Sequence, residues 1–256
     1  MNILDTILES KKTEVTRLVR QKDRCFGPFL ERDVISFKKA LQNSETGIIA
    51  EFKRKSPSKG WICPNADSRE IAMAYHRAGA TAISVLTDSF FFGGNCQDLI
   101  SVRPLINSPL LRKDFLIDPI QVYQSKAIGA DVILLIATAL TREEVQTMAS
   151  LAHQLGLEVL LEIHSERELE YLCPEIDVVG VNNRNLNTFE TSVNISFELV
   201  KTIPDKFLKI SESGLSEPKI VKSLRKAGFQ GFLMGEHFMK EESPGNALNQ
   251  FIINLS

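Results

Sequence analysis

Eight short runs of apolar and β-branched residues alternate with longer amphipathic segments along a chain of 256 residues, and the same glycine-bearing junction keeps returning ahead of the runs. These observations predict an α/β fold, a (β/α)8 TIM barrel with an N-terminal helical extension, because one βα unit repeated eight times in about 250 residues is what closing a parallel barrel requires. A doubly wound open sheet shares the local pattern, and periodicity alone does not separate the two. The count of units favours the barrel. No Gly/Ser/Pro-rich linker interrupts the units, so one domain over residues 1–256 is expected, with residues 1–45 as the extension.

The extension comes first. Ile3, Leu4, Ile7, Leu8, Val15, Leu18 and Val19 fall near helical spacing with charged residues between them, which predicts an amphipathic helix lying on the barrel. A dimerisation arm is the alternative. Strands are then predicted at 48–53, 82–86, 110–115, 132–137, 158–163, 178–182, 208–211 and 231–234. Runs that are apolar at nearly every position, such as Val132-Ile133-Leu134-Leu135-Ile136, suit strands covered on both faces. Between the strands, Asp118-Pro119 sets an N-cap before a proline at the first helical position. Thr141/Glu144 and Ser165/Glu168 have capping-box spacing. Gly79, Gly129, Gly156 and Gly228 stand where a left-handed residue ends a helix just ahead of a strand.

Composition narrows the function. With 30 Lys+Arg against 32 Asp+Glu the formal charge is -2, which gives no bulk electrostatic reason to bind nucleic acid or an anionic membrane. Any anion site must be local. The first 20 residues carry too many charges for a signal peptide or a membrane span, so a cytoplasmic protein is expected. Cys25, Cys63, Cys96 and Cys173 make no ligand pair and read as free thiols of a reducing compartment. Metal-ligand spacing, a Walker loop and GxGxxG are all missing, so neither a metal nor another cofactor is expected.

In a barrel the catalytic groups gather at the C-terminal ends of strands. Here the first strand runs into Glu51 and Lys53, on one face by the period of two. The third ends Arg112-Lys113-Asp114, the fifth Glu162-Ile163-His164, and the sixth Asn182-Asn183-Arg184. One such pair inside a barrel would read as a structural ion pair; polar groups at several equivalent strand ends read as one pocket, because each would be costly to bury alone. Lys113 among Glu51, Lys53 and Glu162 forms a set whose charges spread pKa values, the preparation for acid–base work near neutral pH. Lys53 has Glu51 as its neighbour while Lys113 is flanked by Arg112 and Asp114 on the other face, so Lys113 is the expected proton donor and Lys53 the electrostatic anchor.

The seventh and eighth strands end in Ser211-Glu212-Ser213-Gly214 and Met234-Gly235-Glu236-His237. Small residues there let backbone N–H groups approach an oxyanion, which predicts a phosphate site. His76 and His153 read as surface residues, and His237 lies near the phosphate site without a base partner. Phe90-Phe91-Phe92-Gly93-Gly94 reads as a hydrophobic wall or mobile loop at the mouth, or as core packing.

The segments 49–60 (IAEFKRKSPSKG), 84–88 (SVLTD), 111–115 (LRKDF), 180–186 (GVNNRNL) and 211–214 (SESG) resemble the signatures of the indole-3-glycerol phosphate synthase family, and the similarity spans essentially the whole chain. The resemblance implies a cofactor-free carboxy-lyase of tryptophan biosynthesis that turns 1-(2-carboxyphenylamino)-1-deoxyribulose 5-phosphate into indole-3-glycerol phosphate, CO2 and water. By carry-over it implies Lys113 as general acid and Glu162 as acid–base partner in the dehydration, with Glu51 and Asn182 orienting substrate hydroxyls and these side chains. Lys53, Ser56 and Arg184 would meet the substrate carboxylate or neighbouring charge. Ser213, Gly214, Gly235 and Glu236 would surround the phosphate, Glu236 through its backbone N–H while its carboxylate turns away. The chain departs from the family at Gly93 and Asn95 and at His237-Phe238, none of which removes a proton-transfer residue.

The partner expected is thus a phosphorylated small molecule, with no nucleic acid or membrane, and a monomer is favoured over a dimer. Three rivals stand against this reading. They are a Schiff-base aldolase using Lys113 or Lys53, a catalytically silent barrel serving as an assembly module, and the isomerase of the preceding step.

Overall fold

The computed structural model describes residues 2–20, 27–185 and 188–255; Cys25 and Leu186 lie outside them. Eight parallel strands are present: β1 (Ile48–Phe52), β2 (Ala82–Leu86), β3 (Leu110–Lys113), β4 (Val132–Ile136), β5 (Glu158–Ile163), β6 (Val178–Asn182), β7 (Leu208–Glu212) and β8 (Gly231–Met234). Each pairs with the next, and β8 returns to β1 with Ile48 opposite Phe232, so the sheet closes on itself. The open-sheet alternative is excluded.

Strand ends differ from the expectation by a few residues. β3 stops at Lys113 rather than 115 because Asp114 folds its carboxylate back onto the Phe115 N–H at 2.8 Å, removing that donor from the ladder. β7 runs one residue further, to Glu212.

The helices are α1 (Ile3–Arg20), α2 (Phe37–Gln42), α3 (Ser68–Arg77), α4 (Cys96–Val102), α5 (Pro119–Ala127), α6 (Arg142–Gln154), α7 (Asn194–Leu199), α8 (Pro218–Ala227), α9 (Glu236–Met239) and α10 (Pro244–Ile253). Asp118 and Thr141 cap α5 and α6 in full capping boxes. The third expected box does not form. Glu168 instead accepts the His164 N–H at 2.6 Å, and residues Glu166–Tyr171 wind as a 3-10 helix. Between Phe52 and α3 a small antiparallel ribbon pairs Lys55 with Trp61.

The period of two sorts each strand into an inner and an outer set. Ile48, Ala50 and Phe52 face the helices, while Ile49, Leu111, Leu160, Ile210 and Leu233 fill the barrel interior. Each fully buried Leu or Ile contributes roughly 1.5–3 kcal/mol, so the alternation is strongly enforced.

The N-terminal extension closes both ends of this interior. At the bottom, Phe37 and Leu41 of α2 plug the barrel. Glu158 at the start of β5 holds α2 by accepting from the Ser36 hydroxyl at 2.5 Å and the Lys38 N–H at 2.7 Å. Asp131, just before β4, accepts from Arg32 and Arg103, both at 2.6 Å. At the top, Leu4 and Ile7 of α1 join the same apolar cluster. The helix therefore lies on its own barrel, as expected, although its far end leaves Val19 exposed.

Candidate active site

A cavity of about 300 Å³ opens at the C-terminal ends of the strands, and every predicted site residue lines it: Glu51, Lys53, Ser56, Lys113, Glu162, Asn182, Arg184, Ser213, Gly214, Gly235 and Glu236. Its two sides differ in chemistry. Leu134 and Ile136 of β4, Phe92 after β2, and Phe115 after β3 make an apolar side, roofed by Ile3, Leu4 and Ile7 of α1. The ends of β5 to β8 and of β1 make the polar side.

Lys113 stands at the border. Its ammonium donates to Glu162 at 2.9 Å and lies 3.5 Å from Glu212. Asn182 donates its side-chain amide to the other Glu162 oxygen at 3.0 Å. Across the mouth, Lys53 donates to Glu51 at 2.8 Å. Burial would lower the Lys113 pKa, but Glu162, Glu212 and Glu51 outweigh it, and the net shift is upward. For Glu162 the order is the same: burial raises its pKa, yet the Lys113 ammonium, His164 and the Asn182 amide overcome this and hold it down to about 2. Glu212 is left with the raised value. Burial lifts it, Lys113 only partly compensates, and the charges of Glu162 and Glu51 add to the rise, to about 7.

Glu212 is the residue that the strand-end reading passed over. The seventh strand was read for its small residues, although its last position carries a carboxylate at the same place as Glu51 and Glu162. The lysine comparison also changes. The sequence puts Lys113 among Glu51, Lys53 and Glu162 without naming its partner; in the structure its ammonium meets two carboxylates, Glu162 and Glu212, both on strands distant in sequence.

Two glycines create the room for this crowding. A Cβ on Gly180 of β6 would sit 2.4 Å from a Glu212 carboxylate oxygen, and one on Gly235 would sit 2.6 Å from a Glu51 oxygen. Neither site can carry a side chain unless a carboxylate moves. On the opposite face of β3, Arg112 is fully buried and donates to Thr87 at 3.0 Å, to the Gln121 carbonyl at 3.1 Å and to Asp114 at 3.1 Å. That anchorage fixes which way Lys113 points.

At the β7 and β8 ends, Ser213 takes a left-handed φ of 67° and its carbonyl accepts from the Asn183 side chain at 3.0 Å. This holds the Ser213-Gly214 backbone against the cavity. Gly235 caps α9, its carbonyl accepting from the Phe238 and Met239 N–H groups at 3.0 and 2.9 Å. The Glu236 carboxylate does not simply turn away; it approaches the Arg184 guanidinium at 3.8 Å. Arg184 also donates to Ser58 at 2.7 Å, drawing the loop after β1 towards the loop after β6. Ser56 is buried and accepts the Lys59 N–H at 3.2 Å, so it shapes that loop as well as facing the cavity.

The remaining candidates fall into place. His76 and His153 are exposed and bonded to Ser108 and Asp177. His237 packs its ring against Phe238 and Phe251. In the aromatic run, Phe90 is 70% exposed, Phe91 is buried, and Phe92 lines the cavity. Among the described residues no group of three or more His, Cys, Asp or Glu side chains could hold a metal ion, and no helix is long and apolar enough to cross a membrane.

Comparison with known proteins bears on this geometry. The model of the indole-3-glycerol phosphate synthase family matches residues 4–251. An indole-3-glycerol phosphate synthase of Bacteroides thetaiotaomicron is 55% identical over 217 residues, covering 85% of this chain and 84% of its own. One from Shouchella clausii is 39% identical over 250 residues, with 96% of each chain covered. Among solved structures, a mutant tryptophan synthase alpha-subunit from Pyrococcus furiosus superposes with a TM-score of 0.62 at 15% identity, over 82% of this chain and 97% of that one. At that identity the likeness speaks for the barrel alone.

Proposed function

This chain belongs to the indole-3-glycerol phosphate synthase family, and on that premise we propose how the two-sided cavity carries the reaction. The enzyme is a carboxy-lyase of tryptophan biosynthesis that converts 1-(2-carboxyphenylamino)-1-deoxyribulose 5-phosphate to indole-3-glycerol phosphate, CO2 and water. Its substrate has an aromatic ring at one end and a phosphate at the other, matching the apolar and polar sides of the cavity.

The single observation that carries the residue roles is Lys113 held between Glu162 and Glu212 at the border of the two sides. The ring packs under α1 against Phe92 and Phe115, and the phosphate meets the backbone of Ser213, Gly214, Gly235 and Glu236. The substrate ketone then falls beside Lys113. As the carboxylate-bearing ring carbon bonds to the carbonyl carbon, Lys113 gives the carbonyl oxygen its proton. The carboxylate leaves as CO2, and the electrons of its bond restore the aromatic ring. In the dehydration the new hydroxyl takes a proton and departs as water, while a base removes hydrogen from the adjacent CH2.

Glu162, held ionised, serves as that base. Glu212, which keeps a proton towards neutral pH, is placed to restore the proton on Lys113. Glu51 and Asn182 orient the hydroxyls and these side chains. Lys53, Ser56 and Arg184 face the substrate carboxylate, where a cation must hold position without over-stabilising the ground state.

A Schiff-base mechanism needs a neutral lysine amine, and the carboxylates around Lys113 favour its protonated form instead. A cytoplasmic monomer completes the reading, since the apolar stripe near the start of α1 is covered by the chain's own barrel. The test incubates the purified protein with the carboxyphenylamino ketose phosphate and follows indole fluorescence with and without EDTA. Turnover is expected to survive chelation; loss in EDTA, restored by a divalent ion, overturns the cofactor-free mechanism.

A further inference from the structure

Lys11 sits among the charged positions of α1, yet only 1% of its surface is exposed. Its ammonium lies 2.7 Å from Asp114, 3.0 Å from Asp88 and 2.8 Å from Glu14. The two aspartates belong to the barrel and do different work. Asp114 is the peptide neighbour of Lys113; it also accepts from the Phe115 N–H and from Thr87 at 2.5 Å. Asp88 follows β2 and accepts from the N–H groups of Phe91 at 2.7 Å and Phe92 at 3.2 Å, fixing the turn that presents Phe92. One buried cation therefore joins the roof of the apolar side, its Phe92 wall, and the segment that carries both Phe115 and Lys113.

A mere fastener would not need this chemistry. Burying an ammonium costs several kcal/mol of lost hydration, and well-packed apolar residues often replace buried ion pairs without loss of stability. Apolar contacts already dock the start of α1, through Leu4 and Ile7. What the ammonium adds is direction: it requires both aspartate side chains to turn to one point beneath the helix. The pKa of Asp114 reflects this, since burial raises it but Lys11 and Arg112 overcome the rise and bring it to about 2.

We propose that Lys11 is a positioning residue for the ring-binding side of the active site, setting α1, Phe92 and Phe115 in register through Asp88 and Asp114. The proposal rests on the reading of the apolar side as the aromatic compartment and adds the device that assembles it.

The test compares the wild type with Lys11→Met well below the variant's own melting temperature, measuring the affinity for indole-3-glycerol phosphate and the inhibition by inorganic phosphate. Affinity for the ring-bearing product is expected to fall by roughly tenfold or more and KM to rise, with phosphate inhibition unchanged. If product affinity and KM stay native while only the melting temperature falls, Lys11 is a fastener and the proposal fails; it fails also if phosphate inhibition weakens in parallel. Should Lys11→Met not fold, Asp88→Asn decides. It keeps an oxygen for the Phe91 and Phe92 amides and removes the charge facing Lys11, so the same selective loss, smaller in size, is expected, and unchanged product affinity overturns the idea. A wild type that does not bind the product would instead defeat the reading of the compartment itself.

Discussion

At the scale of single residues, two lysines share one cavity with different carboxylate partners, and their substitutions should separate. Lys113→Met removes the proton and keeps much of the stem, so turnover is expected to fall by roughly 10²-fold or more with modest change in affinity. Lys53→Met should damage affinity at least as much as turnover. Binding and single-turnover measurements on both variants check this, and an exchange of the two patterns would exchange the two roles. Glu212 makes a pH-dependent prediction. Its carboxyl ionises near 4.5 when unfolded but only near 7 when folded, so the folded state binds the extra proton between those values. The stability it retains at acid pH is lost as pH rises from about 4.5 through 7. Glu212→Gln should therefore lower turnover yet raise the melting temperature relative to wild type at pH 8, and show little gain at pH 4.5. An equal gain at both pH values would mean the carboxyl is not strained by burial. These residues show how far the sequence could be read. Lys113 and Glu162 were visible because each lies at or next to a strand end with a Leu-Leu pair just ahead of it. Glu212 also ends its strand but was masked by the small residues beside it. That Lys113 meets Glu162 is a contact across 49 positions, which no local spacing contains.

At the scale of elements, strands and helix caps were legible because period, proline and capping spacing are local properties. The Ser165/Glu168 spacing misled because Glu168 found the His164 N–H, a competing partner that the same short segment offers. The N-terminal extension was legible as an amphipathic helix, but not as two pieces with two duties. Those duties lead to a graded prediction. Removing residues 1–20 takes away the roof over the apolar side and should raise KM strongly while the barrel stays folded, as seen by circular dichroism. Removing residues 1–44 also withdraws Phe37 and Leu41 from the barrel floor, where losing one large apolar side chain costs roughly 2–5 kcal/mol, so this deletion should lose the cooperative fold. Equal behaviour of the two truncations would contradict the division. If the shorter truncation kept native kinetics while only the full chain dimerised, α1 would be a dimerisation arm.

At the scale of the whole molecule, the barrel was legible from the number of units, whereas the closure of both its ends by one segment was not, because that depends on pairing the chain's start with strands a hundred or more positions later. Arg32 and Ser36 bond to Asp131 and Glu158 across 99 and 122 residues. During synthesis the segment around Arg32 and Ser36 thus has no floor to seal until β4 and β5 exist. The start of the chain is made early and placed late. Contacts of such long sequence separation slow folding. Amide exchange labelled during refolding should accordingly protect Lys38, which donates to Glu158, no sooner than the β4 and β5 amides, so that the segment acts as the closing seal on a finished barrel instead of its seed.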